Sequence, residues 1–166
     1  MSVKKLSTAG LLVALGVICS TFYIPIGVSK VFPIQHFINV LSAVVLGPWY
    51  GLGMAFVTSL IRNFMGTGSL LAFPGSMCGA LLSGLLYKYT KKIVGAFLGE
   101  VVGTGIIGAF LAYPIAHVFL SSKAAVFAFV IPFGISSLAG ATISFILIIS
   151  FRKAGILQKM IQQESI

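Results

Sequence analysis

The stretch Gly66–Lys88, GTGSLLAFPGSMCGALLSGLLYK, decides how this chain is read. A glycine-rich turn runs through Phe73-Pro74-Gly75 into an apolar segment. Pro74 suits a first helical position, because the N–H it lacks would be unpaired there anyway. Gly75, Gly79 and Ser83 recur every four residues, and Ser76, Ala80 and Gly84 repeat the pattern one step round the helix. Such a seam lets another helix approach to backbone distance, the usual contact between helices in a bilayer. The spacing predicts a central helix around which a membrane bundle is packed.

The remainder of the 166 residues agrees with a bundle: 58% are hydrophobic, 8% are charged and the mean hydropathy is +1.12. A soluble domain is about 25% charged, so this composition cannot cover a water-facing surface and implies an all-α integral membrane protein. At about 20 residues per span, the chain accommodates six transmembrane helices as one domain, 1–166, leaving any energy source to another chain. The net charge of +9 would suggest nucleic acid in a soluble protein, but here Lys and Arg sit at the ends of apolar segments and read as topology signals, with no nucleic-acid partner. Cys19 and Cys78 stand alone inside apolar stretches and read as small core residues. Lys4 and Lys5 precede an apolar run as in a signal peptide, yet no small-x-small cleavage pattern follows, so the run reads as a first span.

The expected spans are about 6–23, 36–47, 49–64, 74–89, 93–119 and 124–151, with 152–166 as a polar tail. In the tail Ile156, Leu157, Met160 and Ile161 fall at helical spacing, which predicts a helix on the membrane surface. The first span carries two small-xxx-small pairs, Gly10/Ala14 and Gly16/Ser20, so at least one face meets a close partner. Six spans put both termini on one side. Lys4, Lys5, Lys88, Lys91, Lys92, Arg152, Lys153 and Lys159 share that side, against Lys30, Arg62 and Lys123 on or toward the other. The positive-inside rule then makes the termini cytoplasmic and turns the three longer loops outward.

The chain has two carboxylates, Glu100 and Glu164, and two histidines, His36 and His117. That count excludes paired-carboxylate catalysis and carboxylate-bound metal centres, and it leaves too few ligands for a His-built metal site. No Walker, GxSxG or CxxC motif occurs, so neither catalysis nor a cofactor is expected in this chain. Counting about 1.5 Å per helical residue puts Gln35, His36, Asn39, Arg62, Asn63, Ser69, Ser76, Tyr113, His117, Ser136 and Ser137 in the outer half. They resemble a small polar ligand site reached from outside. His36 and Asn39, three apart, share a helix face, as do Tyr113 and His117, four apart. Each histidine has an interfacial alternative, bonded to a carbonyl or a lipid headgroup, and Arg62 has one as a snorkelling residue or a binder of loop carbonyls. Glu100 falls in the cytoplasmic half, roughly 20 Å along the helix from Tyr113. With Thr104 on the same face, it reads either as an acid that holds helices together or as the coupling acid of a proton-linked transporter.

At LGPWYG (46–51), RNFMGTGSLLAFPGSMCGALLSGLLYK (62–88) and GEVVGTGIIGAFLAYP (99–114), the sequence resembles the substrate-binding S components of energy-coupling factor vitamin transporters. Among these it is similar to the ThiW family, assigned to uptake of hydroxyethylthiazole, the thiazole precursor of thiamine. The resemblance implies a six-helix S component that binds its vitamin near the extracellular face of the cell membrane. It also implies a transmembrane coupling protein and two cytoplasmic ATPases as partners, with ATP used by those subunits. In that family small residues on the first helix dock on the coupling protein, and Gly10 and Ala14 are the nearest match here. A thiazole needs aromatic walls and one or two hydrogen bonds. Phe73, Tyr113 and Phe133 are candidates for the walls, with Asn39, Ser76 or His117 for the bonds. A secondary transporter or channel coupled through Glu100, a membrane enzyme, and an S component for another vitamin remain the alternatives.

Overall fold

The computed structural model describes residues 3–26, 29–121, 123 and 125–165. Helix α1 (Val3–Ile18) ends in a single 3₁₀ turn, Cys19–Thr21, and is followed by strands β1 (Ile24–Ile26) and β2 (Ser29–Val31). The strands pair antiparallel with Ile24 opposite Val31, so the first long loop is a small hairpin that the sequence did not announce. The next helices are α2 (Pro33–Val45), α3 (Pro48–Phe64) and α4 (Ala72–Thr90). Helix α5 (Ile93–Val102), a π-wound segment (Gly103–Gly108) and α6 (Ala109–Phe119) then run on as one rod. Helices α7 (Val130–Lys153) and α8 (Ile156–Ser165) complete the chain.

Among the described residues three helices, Val3–Thr21, Ile93–Phe119 and Val130–Lys153, are long and apolar enough to cross a bilayer, and α2 is a shorter apolar helix. Large apolar side chains such as Leu11, Ile18, Val94, Leu98, Leu138 and Ile146 point outward, while serines and glycines fill the interior. This inverts the plan of a soluble domain and suits a multi-pass membrane protein. The expected start of the last span at Ala124 lies outside the described residues, and its helix begins at Val130. Pro74 is the third residue of α4 rather than the first, a position still within the turn whose N–H groups lack intrahelical acceptors.

Helix α4 packs against α2, α3 and the α5–π rod. Its seam is buried at Gly75, Ser76, Gly79, Ala80, Ser83 and Gly84. A methyl placed on Gly99 would stand 2.6 Å from Ser83 Cα, one on Gly103 2.8 Å from Gly79 Cα, and one on Gly108 2.7 Å from Gly75 Cα. Small residues thus face small residues along three successive contacts of α4 with the rod. On the opposite flank Gly84 meets the backbone of Pro48, so the Gly47-Pro48 turn is clamped as well. Gly47 has φ +92°, a conformation that glycine adopts without a Cβ penalty.

Helix α2 enters the bundle part-way up. Gly140, near the middle of α7, abuts Pro33 O and lies against His36 Cβ. On α8, Leu157 is buried and Met160 packs against the same core, so half of the face that the sequence assigns to the membrane surface closes one end of the bundle, leaving Ile156 and Ile161 exposed.

Candidate functional site

The starts of α4 and α7 and the last turn of α3 with its loop meet at one end of the bundle, over the recessed start of α2. They enclose a cavity of about 410 Å³. Its formation begins with how α3 stops. Met65 ends the helix and Gly66 follows at φ +72°. Thr67 N–H donates to Arg62 O at 3.0 Å and Gly66 N–H to Asn63 O at 3.1 Å, the paired bonds of a Schellman stop. Asn63 Nδ2 then donates to Ser59 O (2.8 Å) and Ser69 O (3.0 Å), tying the loop down on α3. Gly68 sits so close to Arg62 that a methyl there would lie 3.0 Å from Arg62 Cβ.

One wall is Arg62, Gln35 and Phe32. Arg62 is only 2% exposed, its Nη1 donates to Gln35 Oε1 at 2.8 Å, and its guanidinium carbon lies 4.3 Å from the centre of the Phe32 ring. The facing wall comes from α7, with Phe129, Pro132, Phe133 and Ser136. Ser136 Oγ accepts the Phe32 N–H at 2.9 Å and so ties the entry to α2 onto that wall. From α4, Ser76 donates to Ala72 O at 2.8 Å. Its single proton is thereby used, and Ser59 is the donor in the 3.0 Å Ser59–Ser76 contact.

Beneath the cavity is a buried polar knot. Glu100 Oε1 lies 2.7 Å from His36 Nδ1, 3.0 Å from Asn39 Nδ2 and 3.0 Å from Thr104 Oγ1. Asn39 Nδ2 also donates to Ser76 O at 3.1 Å, and Thr104 Oγ1 has Gly75 O within 3.0 Å as its other acceptor. Glu100 is fully buried and its Oε2 has no hydrogen-bond partner. His36 and Thr104 line the cavity and so connect the acid to it.

The separation of Glu100 from the polar site expected from the sequence is therefore corrected. The depth count set the start of the short segment 36–47 in the outer half, whereas α2 starts level with the middle of α7, which lowers His36 and Asn39 to the height of Glu100.

Of the residues singled out in the sequence, Gln35, His36, Arg62, Ser69, Ser76, Thr104, Phe133 and Ser136 line one cavity. Asn39 and Asn63 stand behind it, on the polar knot and the loop. Phe73 is not among the lining residues and pairs with Phe56 at 5.6 Å. Tyr113 and His117 stack on each other at 6.0 Å and do not line the cavity. The start of α4 lies opposite Gly108, so both project past that point. Ser137 is buried and donates to Gly134 O within α7. The sequence reading passed over Phe32, Phe129 and Pro132, although the apolar residues just before α2 and at the start of α7 were a usable signal.

On α1 the two small pairs separate. Gly16 is buried, and a methyl there would meet Ile38 Cδ1 and Thr58 Cγ2 at 3.2 Å, while Ser20 bonds Thr67 Oγ1 at 3.1 Å. Gly10 and Ala14 are exposed, and nothing lies within 4 Å of a methyl on Gly10.

The model of one protein family, described as thiamine-precursor transporter protein (ThiW), matches residues 6–154. No curated protein matches the chain.

Proposed function

Because the chain belongs to the ThiW family of thiamine-precursor transporters, we propose that the cavity between α2, α3, α4 and α7 binds the thiazole precursor, with hydroxyethylthiazole as the simplest form. We further propose that the chain acts as the S component of an energy-coupling factor importer. The observation that carries the reading is the cavity itself. Its 410 Å³ lies at the low end of ligand pockets, roughly 300–1,000 Å³. It combines aromatic surface from Phe32, Phe129 and Phe133 with a few oriented polar groups, Gln35, His36, Thr104 and Ser136. A small heteroaromatic ring with one polar arm matches that lining.

The six-span reading rests on chain length and the apolar segments, and its orientation on charge. Lys88, Lys91, Lys92, Arg152 and Lys153 gather at the end of the bundle opposite the cavity, which by the positive-inside rule is cytoplasmic. The cavity then opens outward. The chain contains no nucleotide-binding motif, which accords with an ATP-driven engine in partner subunits. The exposed Gly10 and Ala14 offer α1 as the face that docks on a transmembrane coupling protein.

A secondary transporter coupled through Glu100 keeps one supporting observation, the contact of this buried acid with the cavity through His36. Calorimetric titration of the purified chain with hydroxyethylthiazole, thiamine and hydroxymethylpyrimidine separates the readings. Saturable one-to-one binding of the thiazole without ATP or another protein supports the S component. Proton-linked uptake by the chain alone in vesicles, lost in Glu100→Gln, overturns it.

A further inference from the structure

The polar wall of the cavity holds a charge that no described residue neutralises. Arg62 is 2% exposed, yet its hydrogen-bond partners are neutral: Gln35 Oε1 on Nη1, and Thr67 O on Nη2 at 3.4 Å, near the limit of a hydrogen bond. Nε, buried as well, has no partner at all. Glu100 is the one buried acid among the described residues, and it lies against His36 Nδ1 rather than Arg62. A buried guanidinium without a counter-ion is costly, more so within a bilayer. Here it is nevertheless held, by Gln35 on one nitrogen and the Phe32 face at 4.3 Å, while along the Nε–Nη2 edge Nε is unpartnered and Nη2 weakly used. That edge is the side of a guanidinium that receives two oxygens of one oxyanion in parallel bonds.

We propose that Arg62 makes this a site for an anionic cargo, a small heteroaromatic ring carrying a carboxylate or phosphate group that seats on the Nε–Nη2 edge. The inference rests on the transporter reading above and narrows its substrate class. The ring lies against the apolar α7 wall of Phe129, Pro132 and Phe133, and the oxyanion displaces the long contact to Thr67 O. The ligand supplies the counter-charge that the fold omits, which also means the empty site carries an unpaired charge and the filled one does not. A merely structural Arg62, stapling the α3–α4 loop to α2, would make no distinction between charged and neutral ligands.

The test is a titration of the full-length chain in lipid nanodiscs with hydroxyethylthiazole, its phosphate monoester and 4-methylthiazole-5-carboxylate, repeated on Arg62→Gln and Arg62→Lys. At least one anion is expected to bind tenfold or more tightly than the neutral alcohol, and which anion wins identifies the group. Arg62→Gln should remove that preference, the affinities for the anions falling to that for the alcohol, and Arg62→Lys should keep part of it. Should Arg62→Gln fail to fold, the wild-type ranking and Arg62→Lys decide. Binding of the alcohol as tight as that of both anions, or a preference that survives Arg62→Gln, overturns the anionic site and leaves the transporter reading standing. No binding of any of the three to folded protein overturns both.

Discussion

Replacing Gly103 by alanine tests whether the fold depends on backbone-to-backbone approach. A methyl there would lie 2.6 Å from Cys78 O and 2.8 Å from Gly79 Cα, both main-chain atoms of α4, with no flexible side chain to yield. Restoring ordinary contact means moving the π-wound segment off α4 by about 0.8 Å. Overpacking of a rigid site costs about 3 kcal/mol at the upper end of its range, and alanine returns about 1 kcal/mol in helix propensity. The net loss is about 2 kcal/mol, or a Tm lower by about 4–8 °C for a chain of this size. The same shift draws Thr104, the next residue, away from Gly75 O and Glu100, which should weaken ligand binding by about fivefold, the worth of one hydrogen bond. Thermal unfolding in detergent and calorimetric titration read the two effects. Gly53→Ala is the control, since nothing lies within 4 Å of a methyl at that exposed helical site, and it should melt at or above wild type. If Gly103→Ala melts and binds like Gly53→Ala, close contact of glycine seams is not what holds this bundle together.

Glu100→Gln should lower ligand affinity about tenfold, through disturbance of His36 and Thr104, and titration of the variant checks this. His117→Ala and Tyr113→Phe should leave binding within about twofold of wild type, since neither residue lines the cavity, and the same titration would expose a hidden role. Gly10→Leu with Ala14→Leu should leave melting and ligand binding unchanged, because both positions are exposed, but should reduce co-purification with a transmembrane coupling protein.

The seam of α4 was legible because four-residue spacing of small residues has one physical use in a bilayer, and the buried list of α4 reproduces it residue by residue. The turns at Gly47-Pro48 and Gly66 were legible for a similar reason, each needing a backbone conformation that few residues adopt. Depth was not legible. A count along each helix assumes that all helices start at the surface, and α2 does not, so Glu100 was separated from the very residues it binds. Tyr113 and His117 failed in the reverse sense, because the sequence shows a shared helix face but not where the partner helix begins. Which of two identical small-residue motifs on α1 faces inward was likewise beyond a pattern, and only packing against Ile38 and Thr58 distinguishes Gly16 from Gly10.

The π-wound segment Gly103–Gly108 sets the angular phase of everything after it. A π turn accommodates an additional residue, so α6 is rotated by about 100° from where an unbroken α-helix would carry it. Thr104 faces the polar knot while Ile106 and Ile107 face outward, and α6 continues with Ala109, Ala112 and Ala116 turned inward. The segment is a fixed swivel between two half-rods. Deleting one residue from it would let the rod wind as unbroken α-helix with the alanine face of α6 still turned inward, so this is where the chain absorbs a change of length without turning one half of the molecule against the other.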